Sequence, residues 1–192
     1  MKIDKLDKIL EAKTQGLLWS FYQNQFASLN EQTPLAQTLS RPNFNSWLTS
    51  SRAKKFVVTD DGGEITGFAI ISSELRHDPL ISIPYFKKHF RDKKVFHFPV
   101  IAISREFAFR HPKTYVHLMQ NMMATIPENG VAIFFHSESE NPVIPRLVRK
   151  SCAPKIDTVR LDAMRCILLQ WSPLRRSLPN RTDALSRPSR LA

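Results

Sequence analysis

The sequence predicts an α/β protein of the α+β kind: a three-layer arrangement in which a mixed, mostly antiparallel sheet of six to seven strands carries helices on both faces. Three observations lead there. Apolar residues of the N-terminal third recur at helical steps. A glycine-rich hairpin signal follows at Asp61-Gly62-Gly63. Beyond it, a strand–helix–strand order runs from Val95 to Ser137.

The first helix rests on Leu18, Phe21, Tyr22, Phe26 and Leu29, with Gln23, Asn24 and Gln25 mostly on the opposite side. No strand is legible before it, because "MKIDKLDKILEAK" alternates Lys with Asp and Glu. A second helix starts at Ser40, Arg41 and Pro42 and presents Phe44, Trp47 and Leu48 on one face. These aromatics read as core. Phe56, Val57 and Val58 form a β-branched and aromatic run, and Ile65 to Ile71 is the return strand. The glycines between them admit the positive φ that a tight turn needs.

The connector "RHDPLISIPYFKKHFRDKK" holds an aromatic patch (Tyr85, Phe86, Phe90) and a basic cluster (Lys87, Lys88, Arg91, Lys93, Lys94). A short surface helix with solvated lysines is favoured there over an anion or RNA contact. Val95 to Ser104 is a strand buried on both faces. "AFRHPKTYV", Ala108 to Val116, then reads as a strand-to-helix connection whose helix opens at Pro112. That opening leaves the N–H groups of Lys113, Thr114 and Tyr115 for an anion. Tyr115, Leu118, Met119, Met122 and Ile126 form the helix face, stopped by Pro127 and Gly130. Val131 to Ser137 is another strand. Asn141-Pro142 starts a short helix, and "KIDTVRL" and "AMRCILLQW" are closing strands.

Residues 1–171 therefore read as one domain, with leading helices in 1–50 and the sheet in 54–171. Residues 172–192 form an Arg-, Ser- and Pro-rich tail that reads as disordered. The chain has 42% hydrophobic residues and a net charge of +11, a balance that suits anionic partners. No apolar run approaches the roughly 20 residues of a membrane span. Cys152 and Cys166 lack CxxC spacing and read as packed thiols in a reducing, cytoplasmic setting. The sequence contains no GxGxxG, Walker, HExxH or GxSxG motif, and no metal site is expected.

The order of elements resembles the GNAT-type N-acetyltransferase fold. "FVVTDDGGEITGFAII", with its Thr66-Gly67 step, is similar to that family's second and third strands. "ENGVAIFFHSESENPVIPRLVRKSC" resembles its fifth strand and the Asn, here Asn141, that opens the next helix. The resemblance implies acetyl-CoA as co-substrate, lying between splayed fourth and fifth strands, and an amine acceptor that attacks the thioester directly. It implies that Ile101, Ala102, Ile103, Ser104 and Arg105 flank the pantetheine arm. Arg110, His111, Lys113, Thr114 and Tyr115 would then form the phosphate loop, with Asn141 beyond. Glu106 and His136 are the candidate bases, and Tyr85 and Tyr115, neither placed by the family's motif, are the candidate acids.

Two departures accompany the resemblance. The family's loop has the form Arg/Gln-x-x-Gly-x-Gly/Ala, but the glycine positions here are Lys113 and Tyr115, or His111 and Lys113 in a shifted register. The Tyr found in many members seven residues after the Asn is Val148. Three functions stay open: an acyltransferase, which is preferred; a GNAT-like module without catalysis; and a basic nucleic-acid-associated protein, which is less favoured. Neither the acceptor nor the oligomeric state is readable.

Overall fold

The computed structural model describes residues 1–28, 38–75, 81–127 and 129–133. A five-stranded sheet has the order β1-β2-β3-β4-β5. The strands are β1 (Lys2–Leu6), β2 (Ala53–Thr59), β3 (Ile65–Ser72), β4 (Lys94–Ile103) and β5 (Gly130–Ile133). The first four pair antiparallel, and β5 lies parallel to β4. The closing strands expected at 155–171, the helix after Asn141 and the tail lie outside the described residues.

β1 is the first strand, ahead of the first helix, that the sequence pattern leaves illegible. It runs antiparallel to β2, from Lys2 opposite Thr59 to Leu6 opposite Lys55. Its alternating charges belong to a sheet edge, where Lys2 and Asp4 form an ion pair at 2.9 Å. Charged side chains on an edge discourage pairing with other chains, and the same charges hide the strand from a hydrophobic pattern.

Helix α1 (Ala12–Phe26) buries Leu18 and Tyr22, and helix α2 (Arg41–Thr49) buries Phe44, Trp47 and Leu48. The start of α2 is as expected: the Ser40 side chain accepts a hydrogen bond from the Asn43 N–H, and Pro42 sits in the first turn. Both helices cover one face of the sheet, against Val57, Phe68, Ile70 and Val100. The other face carries Phe56, Val58, Ala69, Ile71, Phe96 and Phe98. Two helices pack there: α4 (Arg105–Arg110) through Phe107, and α5 (Thr114–Met123) through Leu118, Met119 and Met122. The alternation of Phe68 and Ile70 with Ala69 and Ile71 is the two-residue period of a strand buried on both sides. α3 (Ile83–His89) is the expected short helix of the connector, with Lys87, Lys88 and His89 in its last turn.

The β2–β3 hairpin is also as expected. The Asp60 Oδ1 accepts from the N–H groups of Gly62 and Glu64, both at 2.9 Å, and Gly63 takes φ 85°.

Lys55 is a buried cation on the same face of β2 as Ala53 and Val57. It has no exposed surface. Its ammonium donates to the carbonyls of Asp7 (2.6 Å) and Ala53 (2.8 Å) and to that of Ser50, the C-cap residue of α2. One side chain thus ties the β1–α1 turn, the end of α2 and the start of β2. Burial pushes its pKa down to about 8 from the ordinary 10.5, with the Asp7 carboxylate opposing.

Lys55→Met leaves three carbonyls, all at least partly withdrawn from water, without that donor. Chemical denaturation should report a loss of about 3 kcal/mol, and the melting temperature should fall by roughly 10 °C. The pH dependence has a definite sign. Between about 8 and 10.5 the unfolded chain carries a proton at Lys55 that the folded chain has released. This residue therefore makes stability rise across that window. Subtracting the K55M profile from that of the unaltered chain should expose the slope.

Candidate functional site

The candidate site starts on β4. Its sequence interrupts an apolar run with Pro99, which has no N–H to give to a ladder and is tolerated where the ladder is broken. The break is visible in the register: Ile70 lies opposite Val100, yet Ser72 lies opposite His97. Two residues of β4, Phe98 and Pro99, thus occupy the space of one on β3. Such a bulge bends its strand and sharpens the twist. It also switches the facing: Phe96 and Phe98 pack on the α4–α5 side, whereas Val100 packs with α1 and α2. The described part of β5 pairs with β4 from Lys94 opposite Gly130 to His97 opposite Ile133.

Beyond the bulge come the residues expected to flank a cofactor arm. Ile101 and Ile103 are half-buried and Ala102 is buried. At this level β3 contributes Gly67, opposite Ile103. A Cβ at Gly67 would lie 3.0 Å from the Val58 Cγ2 and 3.3 Å from the Ala102 carbonyl oxygen, which accounts for a residue without one. The Ser104 N–H donates to the Thr66 carbonyl at 2.8 Å, fastening the end of β4 to β3. The Ser104 hydroxyl accepts from the Phe107 N–H at 3.3 Å and caps α4.

α4 corrects the expectation for Ala108 to Val116. The chain does not run from strand through loop to a helix opening at Pro112. It enters a helix at once, over Arg105–Arg110, turns through His111 to Lys113, and starts α5 at Thr114. The predicted phosphate loop is therefore a corner between two helices. α5 also ends at Met123, before the expected stop, although Ile126 still packs against the same cluster. The missed signal was local: a Ser followed by Arg-Glu-Phe is a good cap and first turn, masked by the apolar run before it.

At this corner Arg110, His111 and Lys113 are exposed. The Arg110 guanidinium pairs with the Glu106 carboxylate at 3.1 Å, one helical turn back. Exposed pairs of this kind contribute a few tenths of a kcal/mol. The Glu106 side chain is 83% exposed. The His111 ring lies on Phe107 with centroids 4.4 Å apart. Of the amides expected to be open at the helix start, Thr114 N–H is used, donating to the His111 carbonyl at 3.0 Å. The Thr114 hydroxyl is buried and donates to the Met1 Sδ at 3.3 Å. Tyr115 is half-buried against the α4–α5 cluster. β4, α4 and α5 thus bring the residues from Ile101 to Tyr115 to one end of the sheet. His136 and Asn141 lie outside the described residues.

The corner fits a phosphate group in one respect and resists it in another. It gathers exposed cationic side chains at a helix start. It has no glycine, and the first helical amide is engaged. Among the described residues, no three His, Cys, Asp or Glu side chains are grouped so as to hold a metal ion, and no helix is long and apolar enough to cross a membrane.

No protein-family model matches the sequence, and no curated protein matches it. Solved structures do resemble the fold. A probable acetyltransferase has a TM-score of 0.53 at 15% identity over 88% of this chain and 100% of the other. The aminoglycoside 6'-N-acetyltransferase AAC(6')-Ih from Acinetobacter baumannii has a TM-score of 0.52 at 7% identity over 87% and 99%. The aminoglycoside N-acetyltransferase AAC(6')-Iy, solved in complex with CoA, has a TM-score of 0.50 at 15% identity over 86% and 100%. The chain has the GNAT-type fold.

Gly67→Val should cost about 2 kcal/mol, because the added carbons must displace Val58 or the Ala102 carbonyl. Thermal melting reads the loss. Amide exchange should rise at Ile103 and Ser104, which that part of β3 holds.

Proposed function

We propose that this protein is an acyl-CoA-dependent N-acyltransferase, moving an acetyl group from acetyl-CoA to an amine by direct attack. The observation that carries the reading is the course of β4. It pairs in parallel with β5 at its start, bulges at Phe98 and Pro99, and runs into α4 at Ser104. In this reading the edge of β4 beyond the bulge takes an extended arm, as an added strand would. Neighbours of the same fold are N-acetyltransferases, and one was solved with CoA.

In this reading Ile101 to Arg105 flank the arm, while Arg110, His111 and Lys113 face the phosphates with side-chain charge in place of glycine backbone. Acetyl-CoA supplies the thioester acyl group when bound. The chain's own task is to hold the amine, take up its proton and return one to the departing sulfur. His136 is the preferred base, since an imidazole takes a proton near neutrality. Glu106 is the weaker candidate because its carboxylate is exposed and paired with Arg110. Tyr115 is the proton donor to the sulfur, and Asn141 lines the cofactor side. The setting is cytoplasmic, in keeping with two widely spaced thiols.

Thermal melting with CoA and acetyl-CoA tests the binding half. Millimolar ligand should stabilise the chain by about 2–3 kcal/mol if it exceeds the Kd a hundredfold. Arg110→Glu with Lys113→Glu should remove most of that gain. No stabilisation in the unaltered chain would favour a GNAT-like module without catalysis. Release of free thiol with a panel of polyamines, aminoglycosides and peptides tests the chemistry. His136→Ala should lower kcat by roughly a hundredfold with KM little changed, whereas Glu106→Gln should change kcat by less than about threefold.

A further inference from the structure

A cavity opens at the other end of α5, away from the corner at Thr114. α5 has ten residues, so its two ends are about 15 Å apart. The cavity has a volume of about 560 Å³ and lies beside the residues that follow α5. Its floor is made by Ile71 and Phe96, which belong to the core of that face. The turn after α5 contributes Ile126 and Pro127.

Its described lining is basic. Arg52, Lys54 and Lys94 line it, with the hydroxyls of Ser51 and Ser73, and no carboxylate is among the described lining residues; the Thr125 hydroxyl donates to the Met122 carbonyl at 2.7 Å. Lys54 lies opposite Ile71 in the β2–β3 ladder and so shares the face that α5 covers. The three cations come from the start of β2, the turn before it and the start of β4, and only folding brings them together. Two have acidic neighbours outside the lining: Lys54 pairs with Asp7 at 2.6 Å, and Arg52 lies 3.9 Å from Glu74. The Lys94 ammonium stands 5.4 Å from the centre of the Phe96 ring. The volume is that of a site for a small organic molecule.

We infer that this cavity binds a phosphate monoester carried on a flat apolar body, the chemistry of a nucleoside monophosphate. A phosphate offers several acceptor oxygens, matched by the guanidinium fork of Arg52, the ammonium of Lys94 and neighbouring hydroxyl donors. The flat body lies against Phe96, Ile126 and Pro127. This site is separate from the proposed acyl-transfer corner and does not depend on it.

Isothermal titration of the full chain with AMP, adenosine and inorganic phosphate tests this inference. AMP should bind with a Kd on the order of 100 µM, and adenosine and phosphate at least about tenfold more weakly. Lys94→Glu and Arg52→Glu, both at exposed positions, should each weaken AMP by about tenfold or more while the melting temperature stays within a few degrees. Arg110→Glu, at the other end of α5, should leave AMP binding unchanged. The inference is overturned if AMP does not bind, if phosphate binds as well as AMP, or if Arg110→Glu rather than Lys94→Glu removes the binding.

Discussion

The buried ammonium of Lys55 is the constraint from which the leading half of the fold takes its geometry. A cation withdrawn from water is costly unless it is fully hydrogen-bonded. Here three carbonyls surround it, from Asp7, Ser50 and Ala53. Those carbonyls belong to a turn, a helix end and a strand start, and they must converge within hydrogen-bonding reach of one nitrogen. The convergence orients α2 with its Phe44, Trp47 and Leu48 toward the sheet, and it leads the chain from β1 across to α1. The apolar cluster on that face supplies the bulk of the burial. The lysine makes one arrangement of it preferable to others.

Among the described residues, β4 is paired on both sides at its start, to β3 and to β5. At Phe98 and Pro99 it carries a bulge with a switch in facing, and after Ile103 it enters α4 directly. A proline in the middle of a paired strand would be a defect. At a bulge it is compatible with the backbone, because the ladder is already broken. The same local departure that bends the strand also delivers Ser104 to the position where its N–H reaches the Thr66 carbonyl and its hydroxyl caps a helix.

α4 and α5 cover the second face with Phe107, Leu118, Met119 and Met122, and their polar ends do different things. The corner between them gathers Arg110, His111 and Lys113, tempered by the pairing of Arg110 with Glu106. Beside the far end of α5 lies a basic hollow lined by Ile71 and Phe96. One helix thus separates two positively charged regions, and neither contains the glycines that usually mark phosphate loops.

Much of the fold was legible from the chain alone, wherever the signal is carried by neighbours in sequence. The Asp60 to Gly63 turn, the Ser40 cap with Pro42, the Phe44–Trp47–Leu48 face and the apolar stripe of α5 are such cases. So was the order of elements that resembles the GNAT-type fold. What only the tertiary structure decided depends on partners far apart in sequence. β1 is a strand because β2 pairs with it, not because its own residues alternate in hydrophobicity. Pro99 marks a bulge only against the register of β3. Ser104 to Arg110 is a helix once β4 ends and its cap is tied to Thr66. Lys55, a residue that composition would place in water, is buried where the carbonyl of Asp7, 48 residues away in sequence, meets those of Ser50 and Ala53 around it. Local propensity acts over a few residues, whereas burial and pairing are set by segments that meet only after the chain has folded.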